Sequence, residues 1–158
     1  YTAGLNTGFS WKNFDFSMQW TGAWNVDRML DEFRRPLGDT NEKGLLLYQY
    51  DTTWRSSADT FTAKFPRTSS LHASNNYAGS DLYLINASYL RLKSVEIGYN
   101  FNFPFMKKLK MDNCRLYVNG YNLITITGFK WGDPESRQSS RPNYPLTRVF
   151  NIGLKLGF

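Results

Sequence analysis

The closing stretch of the chain, RVFNIGLKLGF, most constrains what this sequence can become. Counting back from the C-terminus, Phe158, Leu156, Leu154, Ile152 and Phe150 share one face of an extended strand, while Gly157, Lys155, Gly153, Asn151 and Val149 share the other. Such a strand settles where one face meets an apolar medium and the other a polar one. About ten residues rising roughly 3.3 Å each and tilted about 45° span roughly the 25 Å apolar band of a membrane β-barrel. Lys155 sets the orientation: aimed at hydrocarbon it would cost up to about 2–4 kcal/mol, and a one-residue slip would also turn five apolar side chains inward. Arg148 shares the outward parity, but at the far end, where its long stem reaches the headgroups. An amphipathic last strand of a soluble sheet alternates in the same way, so this strand by itself sets a class.

Composition narrows the class. Aromatics make up 17% of the 158 residues, with 10 Tyr, 12 Phe and 5 Trp, yet mean hydropathy is negative and no apolar run is long enough for a spanning helix. That excludes a helical membrane protein and suits strands whose apolar residues are diluted at every second position. The formal charge of +6 is dispersed over separate loops and turns, so no nucleic-acid partner is expected. With a single Cys114 and a single His72, neither an intramolecular disulfide framework nor a zinc site can be assembled, and no cofactor or metal is expected. The chain begins at Tyr1 without a signal-like segment, and the expectation is a late-chain segment whose export signal lies upstream.

Along the chain, Leu5, Thr7, Phe9 and Trp11 lie on one parity and Phe14, Phe16, Met18, Trp20, Gly22 and Trp24 on the other. The switch at Lys12-Asn13 is what a tight turn does when two antiparallel strands must keep their apolar faces together. Further on, Val95, Ile97, Tyr99 and Phe101 share a face, whereas Leu90 and Leu92 fall on the polar parity. Either a bulge sits near Lys93 or the upper strand packs against protein. Asn119-Gly120 is a hairpin signal, but a turn there would leave two very short strands, so RLYVNGYNLI is read as one strand with a glycine relieving crowding. The expected class is all-β: the last about five antiparallel strands of a large transmembrane β-barrel with long extracellular loops. All of 1–158 is assigned to the C-terminal barrel segment, with strands at about 2–11, 14–24, 88–101, 114–125 and 147–158, extracellular loops at about 25–87 and 126–146, and no plug domain. Within the first loop RMLDEFRRPLGD can form a short helix and GLLLYQYDTTW can pack or pair.

Chemistry-bearing residues are few. Asp133 and Glu135 flank Pro134 and read as a rigid turn, since two carboxylates are too few ligands for calcium. His72 near Ser69, Ser70 and Asp81 does not make a triad by proximity in sequence, and no catalytic residue is assigned. Loop aromatics Tyr48, Tyr50, Trp54, Tyr77 and Trp131 can stack on sugar rings, although packing and an interfacial girdle account for them as well. Of these, Trp54, Tyr77 and Trp131 are the substrate-binding candidates. Lys107, Lys108 and Lys110 read as a solvated turn near headgroups, and Asn86-Ala87-Ser88 as a chance sequon.

Taken in order, the segments FSWKNFDFSMQWTGAW, FPRTSS, NASYLRLKSVEIGYNF, RLYVNGYNLITIT, GFKWGDPES and YPLTRVFNIGLKLGF resemble those of the SusC/RagA group of TonB-dependent outer-membrane transporters. NASYLRLKSVEIGYNF, similar to the group's SYLRLKNVTLGY segment, is the most specific. Departures are local: Trp11 stands where Tyr is usual, and Asn119-Gly120-Tyr121 where Ser-Gly-Gln is commoner. The resemblance implies a barrel of about 22 strands closed by an N-terminal plug. It implies import of a nutrient, oligosaccharide first and peptide second, driven by TonB acting through the N-terminal part. The implied partners are the remainder of the same barrel and its plug, a SusD-like surface lipoprotein, TonB and outer-membrane lipid; the protein is expected to be no enzyme. Phe150, Ile152, Leu154, Leu156 and Phe158 are expected to form the lipid-facing terminal strand, resembling the signal read by the barrel-assembly machinery. Two other readings compete: a soluble β-sandwich carbohydrate-binding module, and a passive porin-type barrel.

Overall fold

A computed structural model describes residues 1–29, 47–68, 73–76, 78–102, 104, 110–136 and 146–158. The strands among them are β1 (Thr2–Trp11), β2 (Phe14–Ala23), β3 (Asp27–Met29), β4 (Leu84–Asn86), β5 (Tyr89–Phe101), β6 (Asn113–Thr127) and β7 (Val149–Gly157). Five of them form one antiparallel sheet in the order β1-β2-β5-β6-β7, so β1 and β7 are its two edges.

The hairpin β1-β2 closes with Trp11 paired to Phe14, leaving Lys12 and Asn13 as the turn. Lys12 adopts φ 54°, a left-handed conformation that keeps so short a loop compatible with the strand twist, and its ammonium lies 4.9 Å from the centre of the Trp11 ring. Across the sheet the register aligns side chains in rows. Phe9, Phe16, Ile97, Val118 and Ile152 form one such row, and Ser17, Glu96, Asn119 and Asn151 form a row on the opposite face.

A bulge sits at Lys93. Gln19 pairs with Ser94 but Trp20 pairs with Leu92, so β5 carries one extra residue relative to β2. The extra residue inverts the parity and returns Leu90 and Leu92 to the face of Val95, Ile97 and Tyr99. On the other side Leu92 pairs with Ile124 and Ser94 with Tyr121, so β6 answers with an extra residue of its own at a point where Asn122 takes φ 54°. β6 runs unbroken through Gly120, whose missing side chain leaves room for Leu123: a Cβ there would stand 2.8 Å from Leu123 Cδ2. β7 pairs with β6 as far as Tyr121–Val149 and stops beside this irregularity, while β6 continues to Thr127 against β5.

Asp27–Asn86 is a compact unit of its own, and Tyr1–Val26 with Ala87–Phe158 forms the other. Inside the insertion, β3 and β4 pair antiparallel, a short helix covers Leu47–Thr52, and Thr53 bridges to Phe65. Tyr83 is buried, stacks on Phe65 with ring centres 6.0 Å apart, and donates its hydroxyl hydrogen bond to the Asn76 carbonyl at 2.7 Å. Asp59 caps a local turn by accepting from the amides of Arg55 and Ser56 at 3.0 and 2.9 Å. The GLLLYQYDTTW stretch is thus helical from Leu47, whereas most of RMLDEFRRPLGD lies outside the described residues. In the sheet unit, the Ala87 amide donates to the Val26 carbonyl at 2.7 Å, holding the insertion's points of departure and return together.

Candidate functional site

The five-stranded sheet has two chemically opposite faces. One carries rows of aliphatic and aromatic side chains that the chain leaves exposed, among them Ile152 at 74%, Phe150 at 71% and Phe158 at 81%. Leu154 and Leu156 belong to the same row and are also exposed. At the end where the β1-β2 turn lies, Phe14 packs edge-on against Tyr99 at 4.6 Å and Tyr99 against Phe101 at 4.8 Å. At the opposite end Tyr1 and Trp24 stack at 6.1 Å. An apolar band bounded by aromatic rings at both rims matches the girdled outer surface of a membrane barrel.

The opposite face is a polar ladder. Arg115 on β6 crosses β5 and holds Asp15 on β2 by two hydrogen bonds, one of them Nε to Oδ1 at 3.1 Å. It also donates to Glu96 Oε1 at 2.7 Å. Gly98 lies between Asp15 and Tyr117 in the register and makes the crossing possible: a Cβ at that position would stand 2.6 Å from both Arg115 Nε and Asp15 Oδ1. The chain of contacts goes on through Asn119, which donates to Glu96 at 3.3 Å, to Asn151 on β7, which donates to Asn119 at 2.9 Å. Tyr117 is flanked by Gly98 on one neighbour and Gly153 on the other; its ring lies over Gly153, while the space above Gly98 is taken by the Arg115–Asp15 pair. Lys155 pairs opposite Arg115 on this charged face.

Nearer the end of the sheet where β6 finishes, the loop after that strand folds onto the same face. Arg91, 2% exposed, donates to Asp133 Oδ1 and Oδ2 at 2.8 and 2.9 Å, to Glu135 Oε2 at 2.6 Å and to Thr125 Oγ1 at 3.0 Å. The bulged Lys93 holds the other Glu135 oxygen at 2.8 Å. Two cations meet two carboxylates here, and each of these bonds is charge-assisted. Burial pushes the Asp133 carboxyl up, but the Arg91 hydrogen bond, the Glu135 amide and the guanidinium charge together hold it below its ordinary value. Asp133 and Glu135 do form a turn, since the Glu135 amide donates to Asp133 Oδ1 at 2.8 Å. They also clamp the loop to the wall, and the partner Arg91 was missed in the sequence. The available signal was an arginine set between two leucines in YLRLK, with two carboxylates spaced by one proline downstream.

Trp54 is half-buried in the insertion, its amide donating to the Phe65 carbonyl at 2.9 Å. Trp131 is half-buried in the loop after β6. Tyr77, His72, Ser69, Ser70, Lys107 and Lys108 lie outside the described residues. Among the described residues no group of three or more His, Cys, Asp or Glu is placed to hold a metal, and no helix is long and apolar enough to cross a membrane.

No family model matches the chain. Over its whole length it is 29% identical to TonB-dependent receptor P3 of Formosa agariphila. Over 98% of its length it is 28% identical to TonB-dependent receptor SusC of Bacteroides thetaiotaomicron and 24% identical to TonB-dependent receptor P26 of Formosa agariphila. It spans only 16%, 15% and 16% of the lengths of these relatives. Among solved structures it superposes on the RagAB peptide transporter with a TM-score of 0.68 and on the RagAB peptide importer in its closed-closed state with 0.72. Both matches are 22% identical and cover 99% of this chain and 17% of the other. An open sheet with one apolar and one charged face needs a different medium for each, and the likenesses supply them: the chain is similar in sequence to TonB-dependent receptors, SusC among them, and its sheet has the fold of outer-membrane β-barrel wall.

Proposed function

We propose that this chain forms part of the wall of an energy-coupled outer-membrane importer, taking up oligosaccharide with the help of a SusD-like surface lipoprotein and drawing energy from TonB. The observation that carries the reading is the separation of faces: a continuous apolar surface on one side, and on the other a ladder from Asp15 through Arg115, Glu96 and Asn119 to Asn151. A charged wall of this kind suits a lumen filled by a polar plug, and an apolar face suits hydrocarbon. The edges β1 and β7 then pair with the remainder of the barrel, because lipid satisfies no unpaired backbone group. In this reading the long connections Asp27–Asn86 and 128–148 face outward from the cell, and Phe150, Ile152, Leu154, Leu156 and Phe158 touch lipid and present the assembly signal. The wall performs no catalysis; it positions loops and confines the substrate path.

Peptide is the second substrate class, favoured by the RagAB structures, which are those of a peptide transporter. The test is uptake by cells whose full-length gene is deleted or restored, offered a labelled oligosaccharide or a labelled oligopeptide as the sole source. Restored, TonB-dependent accumulation of the oligosaccharide supports the proposal. Accumulation that persists without TonB identifies a passive pore and refutes it, and accumulation of peptide alone moves the substrate class.

A further inference from the structure

The apolar face is not flat. At the end of the sheet where β2 stops and β5 begins, the outward row Ala3, Gly22, Leu90 and Ile126 contains two positions with almost no side chain. The next row toward the middle of the sheet is bulky, with Leu5 and Trp20. At the rim Trp24, whose ring stacks on that of Tyr1, lines the gap. Between them lies a groove of about 800 Å³ whose walls are nearly all apolar. Gly22 keeps its floor low, and not by chance of composition: a Cβ there would stand 2.9 Å from the Tyr89 carbonyl oxygen and 3.3 Å from Leu90 Cδ1.

The geometry points to this groove as a docking site for one acyl chain of a bilayer lipid, in the leaflet on the side of the long connections. The assignment rests on the outer-face reading given above, and the groove is continuous with the exposed rows through Ile124 and Ile126 that a barrel turns toward hydrocarbon. Water would find few hydrogen-bond partners on such walls and gains nothing by filling it. A flexible hydrocarbon chain fills an elongated apolar recess by shape alone, and the Trp24 indole at the mouth is of the type that settles at headgroup level. The groove thus holds a lipid in place, whereas the flat rows near Phe150 and Ile152 are only bathed by lipid.

The experiment uses the full-length barrel reconstituted in phosphatidylcholine vesicles doped with a phosphatidylcholine that carries a diazirine midway along one acyl chain. After photolysis, adducts are mapped by peptide mass spectrometry. Labelling of the Trp20–Trp24 and Tyr89–Leu90 stretches is expected to exceed that of Phe150–Leu156 by about threefold or more. In Ala3→Leu, which fills the groove, the ratio falls to about one while Phe150–Leu156 stays labelled. If that variant fails to insert, Ile126→Phe narrows the opposite wall with the same expected loss. Equal labelling in the wild type overturns the proposal, since the lipid there is then ordinary surrounding lipid. Labelling of Phe150–Leu156 without the groove also overturns it, because protein from another strand or a second copy then fills the recess. Absence of label from both regions defeats the outer-face reading itself.

Discussion

Arg115 reaches Asp15 over the top of a glycine. The two side chains belong to strands that are not neighbours, β6 and β2, and they meet because Gly98 on the intervening β5 offers no Cβ to block the guanidinium. One absent methyl group therefore couples three strands on the charged face.

This arrangement predicts that Gly98→Ala destabilises the barrel by about 1–3 kcal/mol, through steric displacement of a half-buried ion pair rather than loss of apolar burial. The signature is coupling: in an Arg115→Ala background the same substitution should cost clearly less, by about 1 kcal/mol or more. Thermal loss of the heat-modifiable folded band, followed for the full-length protein and both single and double variants, measures it. Additive losses would show that Gly98 serves the backbone and not the crossing.

Arg91 is a second junction, and its loss removes the guanidinium fork that holds the buried Asp133 carboxylate. Arg91→Ala should cost about 3 kcal/mol, toward the low end for a buried pair because Glu135 is partly exposed and keeps Lys93. The local consequence is release of the loop at Gly128–Ser136, read as faster limited proteolysis there than at the β1-β2 turn. Arg91→Lys should restore only part of the protection, since a lysine cannot hold both carboxylates in a fork.

The same clamp carries a pH dependence. Asp133 lies below its ordinary value of 3.8 when folded, so its stabilising contribution is fully present above that value and is lost as pH falls through the lowered folded value. Loop protection should therefore survive mild acidification to about pH 5 and decay only in strong acid. Asp133→Asn should weaken protection at neutral pH and flatten its acid dependence, which limited proteolysis with an acid-tolerant protease resolves.

The two faces of β7 should respond oppositely to charge. Ile152→Lys places an ammonium on the apolar row near mid-strand and should cost about 2–4 kcal/mol, whereas Asn151→Lys, on the charged row one residue away, should cost less than about 1 kcal/mol. Deleting Phe158 should lower the amount of folded barrel recovered from outer membranes without changing the melting of what is recovered. The folded fraction in membrane extracts checks all three; equal effects of Ile152→Lys and Asn151→Lys would refute the assignment of faces.

Local sequence determined the all-β class and the apolar row on each strand. Alternation is a property of successive residues, since neighbouring side chains on a strand must point to opposite faces, and it is written in FDFSMQW and FNIGLKLGF without reference to any other part of the chain. The short segments that resemble those of TonB-dependent receptors were legible for the same reason. What the tertiary structure decided was which bonds cross the sheet. The bulge at Lys93 inverts the parity of Leu90 and Leu92, and sequence left that choice open because one inserted residue moves a whole strand half by one face. Arg91 meets Asp133 across 42 positions and Arg115 meets Asp15 across 100, distances at which pairing depends on the accumulated register of every intervening strand. A turn at Asp133-Pro134-Glu135 can be read from three residues; that its two carboxylates grip an arginine is fixed only when the sheet brings β5 beneath the loop.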